Sequence, residues 1–204
     1  MTLRGGRTMV KELFYDWFGL NEWLFTVLYS FNHPYLDAIW KVASHGYGYW
    51  VAIIAVLAIG FHYLRIRRMA TERQLERMGE RMVVLIMAFS VVWCVVYTFQ
   101  NVTLLPRPWM VFPGSVAAQA PLLWHEGLPA SAPAMSVMIA GVFWKHAGGL
   151  ARRLLLFYVF LGCLLSMLSG VNWPVEVVAG ALVGLMGVRL GQWSFSFGRK
   201  LAAP

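Results

Sequence analysis

Residues 172–184 read Asn172-Trp173-Pro174-Val175-Glu176-Val177-Val178-Ala179-Gly180-Ala181-Leu182-Val183-Gly184. Proline is tolerated in the first turn of a helix, where its missing N–H would have no partner anyway, so Asn172-Trp173-Pro174 reads as a tight turn opening a helix. The helix continues as an apolar run to Leu190 and carries Glu176 near its start. A carboxylate at the beginning of a membrane span is expensive and calls for a partner. Gly180 with Gly184, and Gly187 with Gly191, form two small-xxx-small pairs that let neighbouring helices approach closely.

The same apolar character extends over the rest of the chain. Of its 204 residues 59% are hydrophobic and 13% charged, and mean hydropathy is +0.62. Soluble domains run at about 45–50% apolar and about 25% charged. A bilayer core of about 30 Å takes roughly 20 apolar residues per helix, so the length predicts a single all-α bundle of six spans with no second domain. The predicted spans are about 22–44, 47–64, 82–100, 131–146, 154–171 and 173–191, separated by basic loops at 65–81 and 145–153 and by a long loop at 101–132. The charged stretch from Arg68 to Arg81 interleaves Glu and Arg and lacks Pro, so it favours a helix that continues past the membrane.

Basic residues collect between the apolar runs, which is how a membrane protein marks its cytoplasmic side. Arg4, Arg7 and Lys11, the two basic loops, and Arg199 with Lys200 all fall on one side of a six-span topology. The net charge of +8 is explained there without nucleic acid. Both termini are therefore expected in the cytoplasm, and the N-terminus lacks the pattern of a cleaved secretory signal. Cys94 and Cys163 sit in apolar runs as small hydrophobes.

Three segments converge on the opposite side. The 101–132 loop carries Pro106-Arg107-Pro108 and His125-Glu126; Pro129-Ala130-Ser131-Ala132-Pro133 opens span four; Asn172 to Glu176 opens span six. In order, spacing and flanking residues they resemble the three motifs of the type 2 phosphatidic acid phosphatase superfamily. The resemblance runs from about Asn32 to Gly191 and includes Asn32-His33-Pro34-Tyr35-Leu36-Asp37 in the first external segment. It implies a six-helix membrane bundle with an external phosphate pocket. It also places Gln100 where the family has Lys, Arg107 at Arg, Ala132 at the second-motif histidine, Leu165-Ser166 at Ser-Arg, Asn172 at the nucleophilic histidine and Glu176 at the aspartate.

Covalent phosphoryl transfer needs an activated nucleophile and cationic donors around the phosphoryl group. Asn172 has no imidazole, Ala132 has no proton to give, and Gln100 and Ser166 are neutral, so Arg107 alone remains of the charge clamp. The expectation is a catalytically degenerate protein that binds a lipid or serves as a membrane-complex subunit. Its ligand-binding residues are Arg107, Ser131, Asn172, Glu176 and His125, with Arg107 the preferred partner of Glu176. The alternative is a lipid phosphatase with a rearranged site, in which His125 acts as acid or base and Glu176 as nucleophile. No cofactor is expected. A metal site from His33, Asp37 and His45 is conceivable, but a polar face packed against the external loops explains those residues better. A membrane lipid and a protein partner are the expected companions, in a bacterial inner membrane with the pocket facing the periplasm.

Overall fold

The computed structural model describes residues 16–31, 33, 35, 38–39, 42, 47, 49–66, 68–103, 108, 128–168 and 170–201. Among them are six helices and no strand: α1 (Leu20–Tyr29), α2 (Tyr49–Ile66), α3 (Glu72–Thr103), α4 (Ser131–Trp144), α5 (Gly149–Leu168) and α6 (Pro174–Leu201). α3, α5 and α6 are each long and apolar enough to cross a membrane, and α2 and α4 are shorter apolar helices.

α3 has 32 residues, about 48 Å at 1.5 Å per residue, and so outruns the hydrocarbon core. Its first turns, Glu72 to Arg81, are the charged stretch, helical and continuous with the apolar part. The expected first span at 22–44 shows α1 only as far as Tyr29, and most of its remainder lies outside the described residues.

The core forms where the apolar stripe of α3 meets α4. Leu85, Ala88, Val92 and Val96, spaced three or four apart on one face, pack against Met135, Met138, Ile139 and Val142. α4 is buried on nearly every side, which suits a short helix with no strongly amphipathic pattern. The outward faces of α2, α5 and α6 carry Leu57, Phe61, Phe157, Phe160, Leu182 and Leu185 in the open, the surface a lipid-facing bundle presents.

α6 reaches its neighbours through its small residues. A side chain at Gly180 or Gly184 would run into the backbone carbonyls of Ala130 and Ala134, while Gly187 and Gly191 lie on Ala88 and Val84 of α3. One helix thereby holds both of the others at backbone distance.

The bundle has two polar ends. Arg81 and Gln100 lie on α3 about 28 Å apart, roughly the thickness of the hydrocarbon core. At the basic end Arg199 pairs with Glu76 at 3.0 Å, both largely exposed, a link worth at most about 1 kcal/mol. The candidate site occupies the other end.

Candidate functional site at the start of helices α4 and α6

Glu176 is fully buried and turns back on its own helix, where its Oε2 accepts the Trp173 N–H at 3.0 Å. This is the carboxylate half of a capping box. Pro174 has no N–H to offer, and the Val175 N–H donates to Oδ1 of Asn21 on α1 at 3.0 Å. The N–H groups of Glu176 and Val177 both donate to the Trp173 carbonyl, at 3.0 and 3.1 Å. The first turn of α6 therefore spends every backbone donor inside the protein. A helix N-terminus ordinarily attracts anions because such donors are free.

α4 is fastened to α6 just ahead of its first turn. The Ala130 N–H donates to the Glu176 backbone carbonyl at 3.0 Å, and Gln100 Nε2 donates to the Pro129 carbonyl at 2.9 Å. The Leu128–Pro129 peptide is cis. Gln100, 4% exposed, thus holds the chain that leads into α4. Ser166 donates its hydroxyl to the Cys163 carbonyl at 2.9 Å, and its own carbonyl accepts the Asn172 N–H at 3.1 Å. Phe25 of α1 packs against the Trp173 ring with centroids 4.9 Å apart, and Tyr29 stacks on Phe25.

Two features stay open. Asn172 is buried, and its Oδ1 accepts no hydrogen bond among the described residues. At the other lip, Ser131 and Ala132 are half-buried in the first turn of α4; α4 has no side-chain cap, and among the described residues their backbone N–H groups have no acceptor.

Of the residues named from sequence, the structure brings Gln100, Ser131, Ala132, Ser166, Asn172 and Glu176 to one end of the bundle. Arg107, His125, Asp37 and His45 lie outside the described residues, and with them the expected Glu176–Arg107 pair. His33 is exposed and stacks on Tyr35. No group of three or more metal-ligating side chains gathers among the described residues.

Sequence comparison finds no matching family model and no matching curated protein. Comparison of folds does find one: the crystal structure of LpxE from Aquifex aeolicus superposes with a TM-score of 0.68 at 22% identity, over 84% of this chain and 94% of that one. LpxE is a membrane enzyme of the type 2 phosphatidic acid phosphatase superfamily. The fold is that of the type 2 phosphatidic acid phosphatases.

Within that phosphatidic acid phosphatase fold, Asn21 is the site residue that sequence reasoning missed. It is 1% exposed and its bond to Val175 spans 154 positions. The available signal was an amide beside Glu22 in the otherwise apolar run Leu20-Asn21-Glu22-Trp23-Leu24-Phe25. Gln100 fell on a motif position and was read only for the charge it lacks; its hydrogen bond makes it a structural clamp.

Proposed function

We propose that this membrane protein is a catalytically degenerate member of the phosphatidic acid phosphatase type, which binds a lipid headgroup at the start of α4 and α6 and serves a membrane complex. The reading includes a bacterial inner membrane, both termini in the cytoplasm and the site facing the periplasm, as the distribution of basic loops implies. One observation carries it: the polar groups at the site work as internal fastenings. Glu176 caps its own helix, Asn21 takes the Val175 donor and Gln100 clamps Pro129. Asn172 and Ala132 supply neither nucleophile nor proton donor.

The open groups indicate what the site takes. The Ser131 and Ala132 N–H groups offer donors and Asn172 Oδ1 offers an acceptor, a combination suited to a headgroup bearing both an anionic or carbonyl oxygen and a hydroxyl or amine. LpxE, the structural neighbour, is a lipid phosphatase, which makes residual hydrolysis the rival to test. Purified protein is incubated at high concentration with short-chain phosphatidic acid and with an isoprenoid pyrophosphate, and native mass spectrometry is run on the gently extracted material. The expected outcome is no phosphate release, with a lipid or protein partner retained in stoichiometric amount. Turnover abolished by Glu176→Gln or Arg107→Ala refutes the reading and makes the protein a phosphatase with a rearranged site.

A further inference from the structure

At the end of the bundle opposite the candidate site, α2, α3 and the end of α4 do not close on one another. They leave a cleft of about 460 Å³, joined through Arg77 and Arg81 to a second, more open one of about 560 Å³. The cleft has two chemically distinct halves. Its inner wall is largely apolar: Ala55, Ala58 and Ile59 form one stripe on α2 that ends at His62, with Met78 and Gln74 of α3 opposite, and Phe143 of α4 faces into the same space. Its mouth is basic, with Arg77 and Arg81 one turn apart on the same face of α3 and Lys145 and His146 just beyond α4.

Among the described residues the charges at the mouth are not balanced. Glu80 is the carboxylate there, and it reaches Lys145 only at 3.9 Å. Among the described residues neither Arg77 nor Arg81 has an ion pair. The Arg81 Nε–H is buried and has no acceptor among the described residues. A guanidinium donor left so is costly and is satisfied by an oxyanion in the plane of the fork.

We infer that this cleft binds the phosphate of an anionic membrane lipid, with Arg77, Arg81 and Lys145 holding the headgroup and one acyl chain lying along Ala55, Ala58, Ile59 and Phe143. Arg77, Arg81 and Lys145 against Glu80 leave two positive charges, which matches a dianionic phosphomonoester lipid better than a singly charged diester. The apolar stripe decides between a lipid and a free phosphate, since a solute would use the mouth and leave that wall untouched. Basic pockets between spans at one membrane face are suited to anionic headgroups. Burial, then the Arg81 charge, pulls the His146 imidazole below the ordinary range, with Glu80 opposing. The site is separate from the one at the start of α4 and α6 and stands whether or not that site is catalytic.

The test uses the full chain in nanodiscs of phosphatidylcholine with 10% of either phosphatidic acid or phosphatidylglycerol (roughly one anionic lipid in ten, enough for binding by mass action). Lipid retention is read by native mass spectrometry and thermal stability by intrinsic fluorescence. Phosphatidic acid should be retained about tenfold more strongly than phosphatidylcholine, and more than phosphatidylglycerol. It should also raise the unfolding temperature of the unmodified protein. The double variant Arg77→Gln/Arg81→Gln should lose that preference about tenfold, whereas Arg153→Gln, an exposed basic residue at the same end that lines neither cleft, should keep it. If the double variant fails to fold, the unmodified protein decides alone: equal retention and equal stabilisation by phosphatidic acid and phosphatidylcholine overturn the proposal. Competition by inorganic phosphate at the same concentration as lipid also overturns it, because the mouth is then a solute site. Retention unchanged in the folded double variant does so too.

Discussion

The close seating of α6 on α3 predicts opposite signs for two glycine substitutions that look alike in sequence. A Cβ at Gly191 would lie 2.8 Å from the Val84 carbonyl oxygen and 3.3 Å from the Ala88 backbone nitrogen. Both are main-chain atoms inside a helix, so neither can turn aside. Reaching ordinary contact at 3.4 Å needs the two helices to part by about 0.6 Å, and a gap of that size forfeits a quarter or more of each dispersion contact across the seam. Overpacking of this kind costs about 1–3 kcal/mol, against a gain of up to about 1 kcal/mol from the better helix propensity of alanine. With the full propensity gain set against it, Gly191→Ala should therefore destabilise by about 1 kcal/mol, and by up to about 2 where the overpacking is at the upper end. Gly79 lies in α3 with nothing within 4 Å of its would-be Cβ, so Gly79→Ala keeps only the propensity gain and should stabilise by up to about 1 kcal/mol. Thermal unfolding of both variants in one detergent, followed by tryptophan fluorescence, reads the contrast. If Gly191→Ala raises the midpoint as Gly79→Ala does, α6 is not seated on the α3 backbone and the packing argument is wrong.

Glu176→Ala should be less stable than Glu176→Gln by about 1–3 kcal/mol, because glutamine keeps an acceptor for the buried Trp173 N–H and alanine does not; equal denaturation midpoints would rule out the capping role. Asn21→Ala removes the acceptor of the Val175 N–H and should cost a similar 1–3 kcal/mol, with faster hydrogen exchange at Val175 as the local signature and unchanged exchange as the contrary result. His146 should titrate below its ordinary value of 6.5 and move back up in Arg81→Gln, measured by NMR of labelled histidine. Because its folded-state pKa is lowered, folding carries no penalty from His146 above the ordinary pKa. A penalty then grows as pH falls towards the folded value, so the Arg81→Gln variant should lose less stability than the parent between those two pH values. An identical pH dependence in the two proteins would contradict the assignment.

The fold was legible because burial in lipid leaves a coarse signal. Uncharged runs such as Met82 to Phe99 are too long for a membrane strand and, with no water to satisfy their backbone, form helices, and the order of the segments at Arg107, Pro129 and Asn172 pointed to which bundle they build. The glycines of α6 were legible as well, since close approach demands small residues at that spacing. The site was legible in its positions more than in its bonds. Trp173 and Glu176 stand three apart, the capping-box separation, so the bond from the Trp173 N–H could be read locally, whereas the expected partner Arg107 lies outside the described residues. Asn21 could not be matched to Val175 from the sequence at all, since nothing local records which of many distant backbone donors an amide will meet. The basic cleft was visible only as the charged helix from Arg68 to Arg81; it takes the placement of α2 against α3 to set Arg77 and Arg81 at the edge of an apolar wall.

If the protein is degenerate as proposed, the bond between Asn21 and Val175 has a consequence for any attempt to build catalysis into this scaffold. α1 reaches across and stoppers the positive mouth of α6 with a neutral amide, much as a plug keeps a drilled socket filled after the fitting has been taken away. Histidines placed at positions 132 and 172 would then face a first turn of α6 whose backbone donors are already engaged. An engineer would have to withdraw the plug first, at position 21, and only then refit the chemistry.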